Sequence, residues 1–556
     1  MNKIFGSHFS NFNCFEKSDF SVDKKKAVIT LIAISIIAIL IAARYCFSLS
    51  RKKLALKEIK PENPVQSKIE QPPSSTTSES NVNGAEQIRV ASSSKNATLK
   101  TKEGRTLRNT VKAVTSLKSL CISTIAQSPK SAFQQIKHPF AIPFNEANAL
   151  IKEILNSRDW EPSDLKNFFG VTELKLDQFL LSKQQQAFLL NQYCDTLEIL
   201  ENERSSPLYF NLLKQDIIFK KLKHFKISSA WLKQLGPLLP KEAKGTVVLT
   251  DCSTITALSH FAENITGLRI EDKKLTHEHF QAISASFPML EFIWIKDCQS
   301  ITSFEGCFFP VLRELDVGGT SITNSELQAI SKQCGKTLEV LNIRGCTSIT
   351  SFEDCSFPGL RKLNVGWTSI TNLEVQAISK QCEKTLEVLD IDSCEIITNF
   401  EGCSFSALRK LNVGWTSITN LEVQAISKQC GKTLEVLNIG GCTSITSFEG
   451  CFFPILRELD VGWTSINSEL QAISKQCGKT LEVLNISNCE SITSFEGCFF
   501  PVLRELDVGG TSITNSELQA ISKQCEKTLE VLNIGGCTSI TSFEGCSFSA
   551  LIKLDK

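Results

Sequence analysis

The fold follows from one recurring stretch, TLEVLNIRGCTSITSFEDCSFPGLRKLNVGWTSITNLEVQAISKQCEK at Thr337–Lys384. Copies of this stretch begin at Met289, Thr337, Thr385, Thr433, Thr480 and Thr528. The period is 48 residues, apart from one copy of 47 residues. Self-similarity at a fixed period of this length predicts a solenoid, a propeller or an array of stacked units.

Each copy contains the same short pattern twice and therefore consists of two units, of 22 and 26 residues. The pattern places its apolar residues first at Leu338, Leu341, Ile343, Cys346 and Ile349, and then at Leu360, Leu363, Val365, Thr368 and Ile370. The alternation at its centre predicts a short strand, which needs a neighbouring strand on each side. Because one unit cannot bury its own apolar edge, the units are predicted to stack.

The 26-residue units also carry a helix pattern. In ITNSELQAISKQC, the residues Leu327, Ile330 and Cys334 follow the i, i+3, i+7 spacing of one buried helical face. Thr323 followed three residues later by Glu326 predicts a capping box at the helix start. The connections of the 22-residue units are too short for a full helix. Their phenylalanines, such as Phe352 and Phe357, are predicted to fill the core.

The run ISKQCGKTLEVLNIRGCTSIT at Ile330–Thr350 has one cysteine closing the helix and another following the strand. This run resembles the cysteine-containing leucine-rich repeats of F-box proteins. The resemblance implies an α/β fold, a curved leucine-rich-repeat solenoid with a parallel β-sheet on the concave face and helices or turns outside. It implies that the protein binds other proteins and carries out no catalysis.

Cysteine usage and charge agree with a binding protein in a reducing compartment. Of the 22 cysteines, seventeen recur at three repeat positions typified by Cys334, Cys346 and Cys355, so we predict buried thiols. Zinc is a poor alternative, because the chain has no C-x-x-C pair and only six histidines, none beyond His279. No catalytic residue, metal or cofactor is predicted. The net charge of +1 gives no reason to expect nucleic-acid binding.

Three segments precede the folded part of the chain. Residues 1–26 form an N-terminal tail, residues 27–49 are apolar enough to form a transmembrane helix, and residues 50–105 have the composition of a disordered linker. A signal peptide is a weaker interpretation of residues 27–49, because no small-x-small cleavage site follows. The basic residues after the span favour a cytoplasmic location for the C-terminal side, as a single-pass membrane protein.

Residues 106–170 are predicted to be a helical segment. Within it, PFNEANALIKEILNSRDW at Pro143–Trp160 resembles the first half of an F-box motif. The matching positions are Pro143, Glu146, Ile151, Leu155 and Asp159. The resemblance implies that the first four contact the adaptor subunit of a cullin-type ubiquitin ligase. The alternative is an ordinary helix that caps the solenoid. Residues 171–288 follow as degenerate leucine-rich repeats and residues 289–556 as regular double repeats.

The candidate ligand site lies on the predicted concave face. Trp367, Trp415 and Trp463 recur in register at a position that Gly319 and Gly510 hold in other copies. With strands about 4.8 Å apart, these Trp residues should stand roughly 10 Å from one another. The other predicted ligand residues are Lys362, Lys410, Asn364, Asn412, Arg344 and Asp460. The alternative is that the Trp side chains pack back over the loops of adjacent units.

Two functions follow from these patterns. The first is a membrane-anchored scaffold that binds a protein ligand on the concave face of its repeats. The second is an F-box-like substrate receptor that recruits a cullin-type ubiquitin ligase, such as a bacterial protein acting on a eukaryotic host would use.

Overall fold

A computed structural model describes residues 140–141, 144–156, 160–165, 168–204, 208, 210–295, 298–466 and 470–556. The predicted tail, transmembrane helix and linker at residues 1–105 lie outside these residues. Within the described ranges, no helix is long and apolar enough to cross a membrane. The described residues divide into two compact units, of which one contains those from 140 to 174 and from 179 to 196, and the other those from 175 to 178 and from 197 to 556.

Among the described residues, the first unit has two α-helices and a small parallel strand pair. Strands β1, Phe140–Ala141, and β2, Phe168–Phe169, pair in parallel. Helix α1 spans Phe144–Asn156 and helix α2 spans Lys183–Tyr193. Helix α2 begins after Ser182, where the Ser182 and Gln185 side chains form a capping box.

The described residues include a sheet of 17 parallel strands, β3–β19, of which β4–β19 belong to the second unit. The early strands are β3 Glu173–Lys175, β4 Ile199–Asn202, β5 His224–Ser228, β6 Lys244–Leu249, β7 Ile265–Ile270 and β8 Phe292–Ile295. The regular repeats contribute β9 Glu314–Asp316, β10 Val340–Asn342, β11 Lys362–Asn364, β12 Val388–Asp390, β13 Lys410–Asn412, β14 Val436–Asn438, β15 Glu458–Asp460, β16 Val483–Asn485, β17 Glu505–Asp507, β18 Val531–Asn533 and β19 Lys553–Asp555. From β4 onward, each strand pairs in parallel with the next strand of the chain.

The strand register follows from the buried leucine at the centre of each three-residue strand. Leu341 pairs with Leu315 on one side and with Leu363 on the other, and all three are at most 1% exposed. A shift by one residue would turn every leucine to solvent, so burial of this row specifies the register.

In the regular repeats helices connect the strands of alternate units, whereas in the degenerate repeats a helix follows each of the strands β5, β6 and β7. Their bounds are α3 Ser229–Leu235, α4 Ile255–Leu258, α5 His277–Ser286, α6 Asn324–Cys334, α7 Asn372–Cys382, α8 Asn420–Cys430, α9 Leu470–Cys477 and α10 Asn515–Cys525. The predicted capping box at Thr323 and Glu326 is present, and Leu327, Ile330 and Cys334 form the buried face of α6. A parallel sheet with these helices confirms the leucine-rich-repeat solenoid.

The 22-residue unit between β10 and β11, whose residues are all described, contains no helix. Aromatic side chains fill the space that a helix would occupy. Phe352 and Phe357 are 3% and 2% exposed, with ring centroids 6.4 Å apart. The prediction that these residues fill the core is confirmed.

The repeat cysteines are free thiols, and all of them except the half-buried Cys546 are buried, as predicted. Cys346 Sγ donates to the carbonyl of Val317 in an earlier unit at 3.2 Å, and Cys394 and Cys442 repeat this contact with Val365 and Val413. Burial raises the pKa of the Cys334 thiol to about 12. The thiols therefore act as small packing residues that also bridge neighbouring units.

Candidate functional site

In the three-residue strands, the first and third residues form the solvent-facing side of the sheet. In β11 these are Lys362, which is exposed, and Asn364, which is half-buried, on either side of the buried Leu363. Lys410 and Asn412 take the same places in β13. Two rows of side chains therefore run across the sheet, and both contain predicted ligand residues.

The third-residue row holds the turns that follow the strands. The side-chain Oδ1 of Asn364 accepts the Gly366 N–H at 3.0 Å, that of Asn412 accepts the Gly414 N–H at 3.1 Å, and Asp460 does the same for Gly462 at 2.9 Å. These contacts are Asx turns, in which the side chain stabilises the local backbone. Each of the three predicted ligand residues thus has a structural role that sequence analysis missed, although an Asn or Asp two residues before glycine was its signal.

The Trp residues occupy a left-handed backbone position. The φ angles of Trp367, Trp415 and Trp463 are 58°, 56° and 59°. Equivalent turns hold Gly319, Gly345, Ser393, Gly441, Asn488, Gly510 and Gly536, also with positive φ. A bulky side chain is disfavoured in this region by about 1–2 kcal/mol relative to a right-handed conformation. The fold accepts glycine at this position, so three aromatic residues here need a reason other than folding.

The Trp side chains combine exposure with packing on one face. Trp367, Trp415 and Trp463 are 56%, 54% and 56% exposed. A Cβ atom built on Gly441 would lie 2.4–2.8 Å from Cδ2, Cε2 and Cγ of Trp415, so the indole face covers this glycine. Trp415 therefore packs over the adjacent unit, as the alternative interpretation expects, and still presents more than half of its surface to solvent. Its role in ligand binding stays a prediction.

The turns continue the ladder of the strands. The N–H groups of Trp367, Trp415 and Trp463 each donate, at 2.8 Å, to the carbonyl of the next unit, at Asp392, Gly440 and Ser487. Because these hydrogen bonds join every turn to the next, the turns keep the strand spacing of about 4.8 Å. We call Trp367, Trp415 and Trp463 the Trp row.

One end of the Trp row carries a charged cluster. Arg344 Nη2 lies 2.6 Å from Asp392 Oδ2, and Trp367 Nε1 donates to the same oxygen at 3.1 Å. The guanidinium carbon of Arg344 is 6.0 Å from the centroid of the Trp367 ring, within cation–π range. Arg344, predicted as a ligand residue, is therefore already paired and positions the first indole of the row.

The charge of the face is carried by exposed lysines and partly buried acids. Lys362 and Lys410 form no ion pair within 4 Å among the residues that the structure describes. Burial raises the pKa of the Glu314 carboxyl, although the nearby Lys362 opposes this. Burial likewise raises the pKa of Asp390 and of Asp460. The lysines are thus the most available charges on the strands that lead to Trp367 and Trp415.

An aromatic pair at the start of the regular repeats was missed by sequence analysis. Phe292 and Trp294 lie on the solvent side of β8 with ring centroids 6.0 Å apart and nearly parallel rings. Trp294 also lines a depression of about 250 Å³ together with Glu314, Val340 and Lys362. The signal was an aromatic residue where the later strands have Asn or Asp.

The apolar residues of the F-box-like segment are buried, in contrast to the exposed Trp row. Ile151 and Leu155 on α1 are 2% and 5% exposed. Pro143 and Asp159 lie outside the described residues, and Glu146 lies on α1. Side chains as buried as Ile151 and Leu155 cannot contact a partner without a rearrangement, so the adaptor contact stays a prediction.

We also searched the described residues for metal-binding groups and for histidines in a reactive setting. No group of three or more His, Cys, Asp or Glu side chains among them could hold a metal ion. His279 lies at the start of α5, where its ring nitrogen completes a capping box with Thr276. The fold and the solvent-facing side of its sheet together define a leucine-rich-repeat solenoid with an exposed row of Trp residues.

Known proteins offer only a general likeness. No protein-family model and no curated protein matches the sequence. An internalin, inlF, from Listeria monocytogenes is 14% identical, with 55% of this chain and 94% of that chain covered and a TM-score of 0.32. The functional domain of InlJ from Listeria monocytogenes, which includes a cysteine ladder, is 15% identical over 70% of this chain and 75% of that chain, with a TM-score of 0.29. A TDR receptor is 13% identical over 67% and 82%, with a TM-score of 0.28.

Proposed function

We propose that this protein is a membrane-anchored interaction scaffold that binds a protein ligand on the solvent face of its repeat sheet, with the Trp row at the centre of the site. The observation that carries the proposal is the placing of three half-exposed indoles at left-handed backbone positions. Residues 27–49 would provide the anchor and residues 50–105 the tether.

The energetic argument compares Trp with the glycine found at the same position in other copies. Glycine would avoid the backbone strain and would expose no large apolar surface. A ligand that covers the indoles recovers the cost of their exposure, and Trp is among the residues in which interface energy concentrates. Ligand binding therefore explains the Trp residues at this position better than a structural role in the solenoid does.

The test uses the full-length protein and its variants as bait. It compares how much of a cross-linked and identified partner each of them captures. Replacing Trp367, Trp415 and Trp463 together by Gly keeps the backbone conformation and should abolish capture. The matched control replaces Leu373 and Leu421 by Ser, since these leucines on α7 and α8 are 72% and 70% exposed and lie away from the Trp row. Capture that survives the triple replacement, or that depends on the two leucines, would contradict the proposal.

The anchor has its own test. Alkaline carbonate should leave the full-length chain in the membrane fraction and should release a chain lacking residues 27–49. Release of the full-length chain would contradict the membrane part of the proposal while leaving the ligand site untouched. The F-box-like alternative would instead require the ligase adaptor subunit to co-purify with the chain.

A further inference from the structure

We infer that the Trp row recognises a proline-rich segment of the partner protein, held as a polyproline II helix with acidic residues along one of its faces. The inference rests on the proposed function and specifies which part of a protein ligand the row would hold. Three observations carry it, namely the spacing of the indoles, the form of their exposed faces and the position of two lysines.

The spacing of the Trp row matches the repeat of a polyproline II helix. The indoles recur at every second unit, and hydrogen bonds between the turns keep the spacing of the strands. Two strand spacings place successive indoles about 9.6 Å apart. A polyproline II helix has three residues per turn and rises about 3.1 Å per residue, so each of its three faces repeats about every 9.3 Å.

Other peptide backbones fit this spacing less well. An extended strand presents residues on one face about every 6.8 Å, or about 13.6 Å for every second one. An α-helix returns to the same face after seven residues, about 10.5 Å, so its mismatch over the whole row grows to about 1.8 Å. The corresponding mismatch of a polyproline II helix is about 0.6 Å.

The exposed surface of Trp415, at the centre of the row, suits a proline ring. Trp415 packs one face on Gly441, and its opposite face remains open to solvent. The turn positions between successive Trp residues hold the small residues Ser393 and Gly441. Proline-rich segments dock on aromatic-lined surfaces of this kind, because the preformed polyproline II conformation loses little entropy on binding.

Charge complementarity sets the acidic character of the segment. Lys362 and Lys410 lie on β11 and β13, the strands that lead to Trp367 and Trp415. Both are exposed and form no ion pair within 4 Å among the described residues. The strand that leads to Trp463 has Glu458 instead. Acidic residues of the ligand should therefore lie toward the Trp367 and Trp415 end.

The first experiment titrates the full-length chain in detergent micelles with the synthetic peptide (Pro-Pro-Glu)3, followed by calorimetry and indole fluorescence. This peptide places its Glu residues on one face. The control peptides are Pro-Glu-Pro-Pro-Pro-Glu-Glu-Pro-Pro, which spreads the same residues over three faces, and (Gly-Ser-Glu)3, which has the same charge without proline. We expect tighter binding of the first peptide and about a tenfold loss of affinity for each Trp replaced by Gly.

The second experiment changes the spacing at constant Trp content. Replacing Trp463 by Gly and Gly510 by Trp moves the third indole to an equivalent left-handed position, and Gly536 offers the next unit's glycine beneath it. The row then spans about 29 Å rather than about 19 Å. A nine-residue polyproline II peptide reaches only about 25 Å and should bind as weakly as it does to Trp463→Gly, whereas (Pro-Pro-Glu)4 should recover the third contact.

The outcomes separate this inference from the proposed function. If no proline peptide binds while the captured partner still depends on the Trp row, the polyproline inference is wrong and the proposed function stands. If partner capture is also independent of the Trp row, both are wrong. Tighter binding of a helical peptide with seven-residue spacing, or of a β-1,4-linked oligosaccharide, would also overturn the inference.

Discussion

Arg344 and Asp392 are joined across two repeat units, with Arg344 Nη2 2.6 Å from Asp392 Oδ2. The guanidinium crosses Gly366, where a built Cβ would lie 2.6 Å from Arg344 Nη1. Other copies have Gly440, Ser487 and Gly535 at the place of Arg344 and Asp392. The pair therefore belongs to one part of the solenoid, where it positions Trp367 through the shared Asp392 oxygen.

A double-mutant cycle should detect this pair in the free energy of unfolding. Arg344→Ala and Asp392→Ala should show a coupling of about 0.5–1 kcal/mol, at the upper end of the range for partly exposed ion pairs. The matched control is Arg361 with Glu387, whose acid is more exposed, 33% against 16% for Asp392. Equal coupling in both pairs, measured by urea unfolding, would mean that the shared contact with Trp367 adds nothing.

Backbone strain predicts an unusual order of stability for variants of Trp415. Trp415→Gly should be more stable than Trp415→Ala by about 1 kcal/mol, because alanine keeps the unfavourable positive φ and glycine does not. Both should bind the ligand equally poorly. Thermal unfolding of the two variants checks this, and a more stable alanine variant would show that the turn changes conformation when Trp is removed.

Gly441 should be essential for the position of the Trp415 indole. Gly441→Ala should lower both the unfolding free energy and ligand affinity, since its Cβ would enter the indole face. Gly345→Ala is the control for strain, because Gly345 has φ of 73° but the nearest atom to its built Cβ is 3.7 Å away. The control should lose stability without losing affinity. Loss of affinity in both variants would point to a general change of the turns.

The repeat cysteines should differ in reactivity according to burial. Burial raises the pKa of Cys334 and Cys430 to about 12 and that of Cys355 to about 11, so little thiolate is present at neutral pH. Cys546 is the least buried of the described cysteines. In alkylation of the native protein followed by mass spectrometry, Cys546 should be modified first among them. Early modification of Cys334 would show that the repeats open readily.

Asp460 should make the protein less stable at neutral pH than an uncharged residue would. Burial raises its pKa above the ordinary value of 3.8, so the native state is penalised above the raised pKa and the penalty disappears as the pH falls below it. Asp460→Asn keeps the oxygen that accepts the Gly462 N–H and removes the charge. Its advantage in melting temperature over the unchanged protein should be largest at pH 7 and should shrink toward pH 4. A constant difference would exclude the carboxyl as its source.

The sequence alone determined the solenoid, because its information is local and repeated. Alternation around Leu341 and Leu363 predicts strands, and the spacing of Leu327 and Ile330 predicts a helix face. The 48-residue period predicts that the units stack. The burial of Cys334 follows from the same periodicity. None of these conclusions requires knowledge of which units touch, since every unit meets a nearly identical neighbour.

Only the tertiary structure decided what the face residues do. The positive φ of Trp415, the glycine beneath its indole and the contact of Arg344 with Asp392 depend on backbone angles and on residues one or two units away. Such contacts join positions 25–48 residues apart, and no local pattern distinguishes a paired arginine from an exposed one. The burial of Ile151 and Leu155 was also decided by the tertiary structure. An apolar helix face has the same sequence pattern whether it packs inside its own chain or against a partner.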